Sequence, residues 1–92
     1  MKVVWRRAAL ADIDDMRSWI GRDNPRAAVA VEKRIRASVR NLTATPLLWP
    51  MISDGVSRRM IVRRTPYFVY YRVVGDDVII DAVLHAKRAR PV

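Results

Sequence analysis

The sequence predicts an α+β domain of order β-α-α-β-β-β, a helical hairpin packed on a small, mostly antiparallel sheet. Two observations carry this fold class. Residues 8–42 hold two stretches with apolar residues at three- and four-residue spacing, and that spacing lays an apolar stripe along a helix. Residues 67–84 hold two strand-forming runs about Gly75-Asp76, a dipeptide suited to a tight hairpin. No repeat, low-complexity run or linker divides the 92 residues, so residues 1–92 are expected to form one domain.

The elements follow in order. Lys2 to Arg6, apolar at Val3, Val4 and Trp5, reads as a short first strand. From Ala8 to Ile20 the set Leu10, Ile13, Met16 and Ile20 marks an amphipathic helix, with Asp12, Asp14 and Asp15 in the early turns, where the helix dipole favours acids. Gly21 follows the last periodic residue and is expected to end the helix in the left-handed conformation. Asp23-Asn24-Pro25 supplies an N-cap and a proline at the first helical position. The second helix runs to about Leu42, its inward face being Ala28, Val31, Ile35, Ser38 or Val39, and Leu42. A connection this short makes the two helices antiparallel neighbours.

Between Thr43 and Gly55, Pro46, Pro50 and Gly55 break any period. Leu47, Leu48, Trp49, Met51 and Ile52 are too apolar for a free loop, so this segment is expected to lie against the domain body. Ser57 to Arg64 alternates, with Met60 and Val62 against Arg59, Ile61 and Arg63, until Pro66 interrupts it. Tyr67 to Val74 and Val78 to Leu84 are the third and fourth strands. The last is apolar on both faces except at Asp81, which predicts a central place in the sheet. Trp5, Trp19 and Trp49 are expected in the core or along a groove. Trp19, on the flank of its helix, either covers the hairpin joint or is left for a partner.

Apolar residues make up 51% of the chain, enough for a packed core. The charge is lopsided, 18 Lys plus Arg against 9 Asp plus Glu. Arginine dominates, and its planar fork pairs bidentately with phosphate and carboxylate, so nucleic acid or an acidic protein segment suits this surface. A merely solvated cationic face is the plainer reading. Cysteine is absent, which removes disulfides, thiolate metal sites and thiol nucleophiles. No stretch resembles a signal peptide or a bilayer-spanning run, so a cytoplasmic protein without membrane contact is expected.

Catalytic motifs are scarce. His85 is the single histidine, and no ligand spacing implies a metal. Gly21, Gly55 and Gly75 are isolated, so no phosphate loop or other cofactor site is implied. What remains is cationic: Arg58, Arg59, Arg63, Arg64 and Arg72 in an acid-free stretch, then Lys87, Arg88 and Arg90 after the last strand. Tyr67, Phe68, Tyr70 and Tyr71 interleave with them. Such a pattern suits stacking on single-stranded nucleic acid, or ordinary cross-strand packing. His85 is either a general base or a strand-end histidine bonded to backbone.

Several stretches, in this order and spacing, resemble ParE-type toxins of the RelE/ParE superfamily over nearly the whole chain. They are Val4-Trp5, Ala9-Leu10-Ala11-Asp12-Ile13, Trp19-Ile20, Asp23-Asn24-Pro25 with Ala27-Ala28, Arg58-Arg59-Met60-Ile61-Val62, Pro66 to Val73, and Val83-Leu84-His85-Ala86-Lys87-Arg88. The resemblance implies the toxin of a type II toxin-antitoxin system, inhibiting growth, stabilising plasmids, and neutralised by a cognate antitoxin whose C-terminal segment wraps on it. ParE-like members poison DNA gyrase, whereas RelE-like members cut messenger RNA on the ribosome. One fold thus serves two functions.

Of the basic positions that the RelE pattern implies, Arg59 matches one on the second strand and Arg88 the arginine after the last strand. Ile61 and Phe68 occupy two others, and the C-terminal tyrosine has no counterpart. A histidine-tyrosine ending is also missing, since Ala86 follows His85. The resemblance therefore implies a toxin that inhibits DNA gyrase by binding, with direct nucleic-acid contact secondary. The candidate target- or antitoxin-binding residues are Arg58, Arg59, Arg63, Arg64, Trp19, Tyr67, His85, Lys87, Arg88 and Arg90. The alternatives are a ribosome-dependent endoribonuclease using Arg59, His85 and Arg88, and an inactive relative that only binds antitoxin.

Overall fold

The computed structural model describes residues Met1–Val92. Strand β1 (Lys2–Trp5) leads into helices α1 (Arg7–Gly21) and α2 (Pro25–Asn41), followed by strands β2 (Arg58–Ile61), β3 (Tyr67–Val74) and β4 (Asp77–His85) and a 3-10 turn at Ala86–Arg88. The four strands are ordered β1-β4-β3-β2. β1 runs parallel to β4, and the β4-β3 and β3-β2 pairs are antiparallel. The α+β architecture is the expected one, with β4 inside the sheet as its apolar sequence requires.

The hairpin of helices forms for local reasons. Asn24 caps α2, its Oδ1 accepting the Ala27 N–H at 3.0 Å, and Pro25 takes the first helical position. The end of α1 differs from expectation. Gly21 remains helical rather than left-handed, and the amides of Asp23 and Asn24 both return to the Ile20 carbonyl. The bare Gly21 backbone instead faces Ala28, where an added Cβ would lie 3.9 Å from the Ala28 Cβ. At the far end of the sheet Gly75 does adopt a positive φ of 57° and turns β3 into β4.

The main core lies between the helices and one sheet face. Ala9, Ile13 and Met16 of α1 and Ile35 and Val39 of α2 pack on Met60, Val69, Tyr71, Val78 and Ile80. Leu10, expected inward, is 41% exposed, because α1 starts immediately after β1 in an orientation that turns Ala9 to the sheet. The other sheet face holds a small cluster of Ile52, Tyr70 and Ala82, flanked by Phe68 and Leu84. Tyr67, Tyr70 and Tyr71 are all buried, so the aromatic strand is core and provides no stacking platform for nucleic acid.

The segment after α2 rests on the body through its backbone more than its side chains. Arg58 donates to the carbonyls of Leu47 (3.2 Å) and Trp49 (2.7 Å), and the Tyr71 hydroxyl donates to that of Pro46 at 2.7 Å. Trp49 and Ile52 pack inward, but Leu47, Leu48 and Met51 are exposed, contrary to expectation. With three carbonyls already tethered, those side chains need no burial to hold the segment in place.

Candidate functional site

One irregularity in β4 shapes the site. Tyr70 pairs with Ala82 but Tyr71 pairs with Ile80, so Asp81 is an extra residue, a β-bulge. Its carboxylate receives Arg72 through two bonds of 2.7 and 3.1 Å, and Arg6 approaches to 3.7 Å. β1 ends opposite Ile80, so beyond the bulge β4 has no strand neighbour on that side. α1 passes there instead, and Asp12 Oδ2 accepts the Val83 N–H at 2.9 Å. The aspartates were expected to serve the helix dipole. No acid falls in the first turn of α1, and Asp12 instead replaces a missing strand partner.

Between α1 and the end of β4 lies a groove of about 580 Å³. Asp12, Met16 and Trp19 of α1 and Arg22 at its C-cap line it, since residues at this spacing share one helix face. Opposite them stand Tyr67, Val83, His85, Lys87 and Arg88. The base is apolar, from Met16, Tyr67 and Val83. The rim carries Trp19, 66% exposed, with the Arg22 guanidinium 5.5 Å from its ring centre. Lys87 and Arg88 are exposed and form a cationic end.

Each polar group has a physical role. Burial raises the Asp12 carboxyl above its usual range, an effect opposed by the Val83 bond, reinforced by the neighbouring Asp15 charge and offset in part by Arg90. Burial also raises the Tyr67 phenol, with Arg88 pulling the other way, so its hydroxyl stays neutral and able to donate. His85 Nδ1 accepts the Lys87 N–H at 3.1 Å, and the Tyr67 ring meets the imidazole edge-on with centres 5.4 Å apart. With that lone pair engaged, the neutral ring carries its hydrogen on Nε2 and offers a donor.

Of the residues singled out in the sequence, Trp19, Tyr67, His85, Lys87 and Arg88 come together in the groove. Arg59 and Arg90 do not: their guanidiniums lie over Phe68 (4.7 Å) and Tyr70 (5.0 Å) on the opposite sheet face. Arg90 is held there by its amide, which donates to the Tyr70 hydroxyl at 2.9 Å. Arg58 is occupied by the Leu47 and Trp49 carbonyls, and Arg63 and Arg64 are exposed at the β2-β3 tip. Sequence reasoning missed Asp12, Met16 and Arg22 as groove residues. Their signal was the i, i+4, i+7, i+10 stripe that they share with Trp19.

Residues 3–90 match a family model described as the ParE toxin of the type II toxin-antitoxin system parDE. The chain belongs to this ParE toxin family. It is 30% identical over 90 residues to a protein named as a toxin, Y4kP of Sinorhizobium fredii, covering 98% of this chain and 93% of that one. It is also 30% identical over 87 residues to toxin RelE2 of Caulobacter vibrioides, covering 95% and 97%. In fold it resembles a solved structure of a chromosomal ParDE system from P. aeruginosa, with a TM-score of 0.82, 23% identity, and coverage of 92% of this chain and 95% of that one. The family membership makes this chain a type II toxin. Within the ParE family frame, no helix is long and apolar enough to cross a membrane.

Proposed function

We propose that this ParE-family toxin acts by binding DNA gyrase and is neutralised by a cognate antitoxin segment that occupies the α1-β4 groove. The observation that carries this reading is the separation of the nuclease candidates. Phosphoryl transfer without a metal needs its acid, base and charge stabilisers converging on one phosphate. His85 and Arg88 belong to the groove, while Arg59 is stacked on Phe68 across the sheet. The groove suits recognition instead: an apolar base, an exposed tryptophan and a cationic end match a peptide that presents an apolar anchor and an acid.

Purified toxin added to gyrase from its own host should block supercoiling and accumulate cleaved DNA, and Lys87→Ala with Arg88→Ala should weaken the effect. Unchanged supercoiling, together with messenger RNA cleavage in translating ribosomes that is lost on Arg88→Ala, would refute this reading in favour of the ribonuclease.

A further inference from the structure

The solvent side of α2 carries Arg26, Lys33, Arg34 and Arg40, all exposed. None of them takes part in an ion pair: the four salt bridges use Arg6, Arg17, Arg36 and Arg72. Glu32, the only acid of α2, is already shared by Arg17 and Arg36. Arg26, Lys33 and Arg40 recur at seven-residue intervals and so form one stripe, roughly 21 Å long at about 1.5 Å per residue. Local helix energetics account for it only at Arg40, in the last turn, where the dipole favours a cation. Arg26 sits in the first turn, where the dipole disfavours a cation. Asp23, before the helix begins, is the one acid three or four positions from any of these residues, and it forms no ion pair with Arg26. α1, by contrast, mixes Asp14, Asp15 and Arg17 on its exposed surface.

We propose that this stripe is a binding face for the phosphate backbone of duplex DNA, separate from the groove and independent of the gyrase reading. Three features favour that partner. A protein partner is held chiefly by apolar and aromatic anchors, and Val29 is the one large apolar side chain that α2 exposes. Single strands need stacking rings, and α2 carries no aromatic residue. A duplex backbone needs only cations in a row at phosphate reach, and Ala30 and Ala37 between them keep the helix surface low. The recognition is accordingly of charge and shape, without base readout.

Fluorescence anisotropy of a labelled duplex, titrated with the full chain over a series of salt concentrations and without gyrase, tests this. Each neutralised phosphate contributes about 0.9 to the salt slope, so four contacts cost about 100-fold in affinity between roughly 50 and 200 mM salt. Changing Arg26, Lys33, Arg34 and Arg40 together to Gln should flatten the slope by about 3 to 4, while Lys87→Gln with Arg88→Gln should flatten it by less than half as much. All changed side chains are exposed, and thermal melts of each variant identify any that fails to fold. Equal slopes for wild type and the quadruple variant would overturn the proposal. So would tighter binding to a single strand of the same length, or polyglutamate competing as well as duplex DNA.

Discussion

Replacing Asp12 by alanine removes the acceptor of the Val83 amide, which lies on a buried residue at the base of the groove. A buried donor left without a partner costs about 1–3 kcal/mol, and about 2 kcal/mol is expected here because the lost acceptor is a carboxylate. For a domain of this size that lowers Tm by roughly 8–16 °C. Asp12→Asn keeps an oxygen for the amide and removes a charge that burial penalises, so its stability at neutral pH should stay within about 1 kcal/mol of wild type. The pH dependence follows from the same group. The folded carboxyl lies above its ordinary 3.8, so the folded state binds the extra proton, and that contribution is fully present below 3.8 and lost as pH rises through the folded value. Thermal melts should therefore show wild type gaining on Asp12→Asn as pH is lowered through the range just above 3.8. Wild-type stability in Asp12→Ala, or a wild-type advantage that shrinks on acidification through that range, would refute the reasoning.

Three further perturbations probe other parts of the molecule. Gly21→Ala should raise stability by about 0.5–1 kcal/mol, since the backbone there is helical and an added Cβ meets Ala28 at an ordinary 3.9 Å; a lower Tm would show that the hairpin needs the closer approach. Arg58→Ala frees the Leu47 and Trp49 carbonyls and should cost about 1–2 kcal/mol, with hydrogen exchange speeding up selectively in residues 46–52. Trp19→Ala should leave stability within about 0.5 kcal/mol of wild type, because the ring is 66% exposed, yet weaken antitoxin binding at least 10-fold by calorimetry. Unchanged affinity would remove Trp19 from the interface.

Much of the fold was legible because its signals are local. The apolar period of α2, its Asn24-Pro25 start and the Gly75 turn each act within a few residues, and the structure uses them as the sequence suggests. The misjudged features depend on distant partners. Leu10 faces outward because of where β1 ends, Gly21 stays helical because the chain returns through Ile20, and Leu47 and Leu48 are exposed because Arg58 and Tyr71 already hold their segment. The candidate site was half legible. Trp19, Tyr67, His85, Lys87 and Arg88 were identifiable by residue type, but Asp12 earns its place through a bond to Val83, 71 positions away.

The bulge at Asp81 explains why the faces of the sheet could not be assigned by counting. A strand alternates in twos, so counting from Val78, which faces the helices, puts Ala82 and Leu84 on the helix side and Val83 and His85 on the far side, with Arg59. The extra residue reverses that phase. Val83 joins the main core and His85 meets Tyr67 beside the groove, while Ala82 and Leu84 join Tyr70 on the far face. A regular strand would therefore have put His85 and Arg59 on one face, as a nuclease site needs. The bulged strand parts them and gives His85 to Trp19, Lys87 and Arg88 instead. The separation of His85 from Arg59 thus follows from one inserted residue, whose carboxylate is held in place by Arg72 and Arg6.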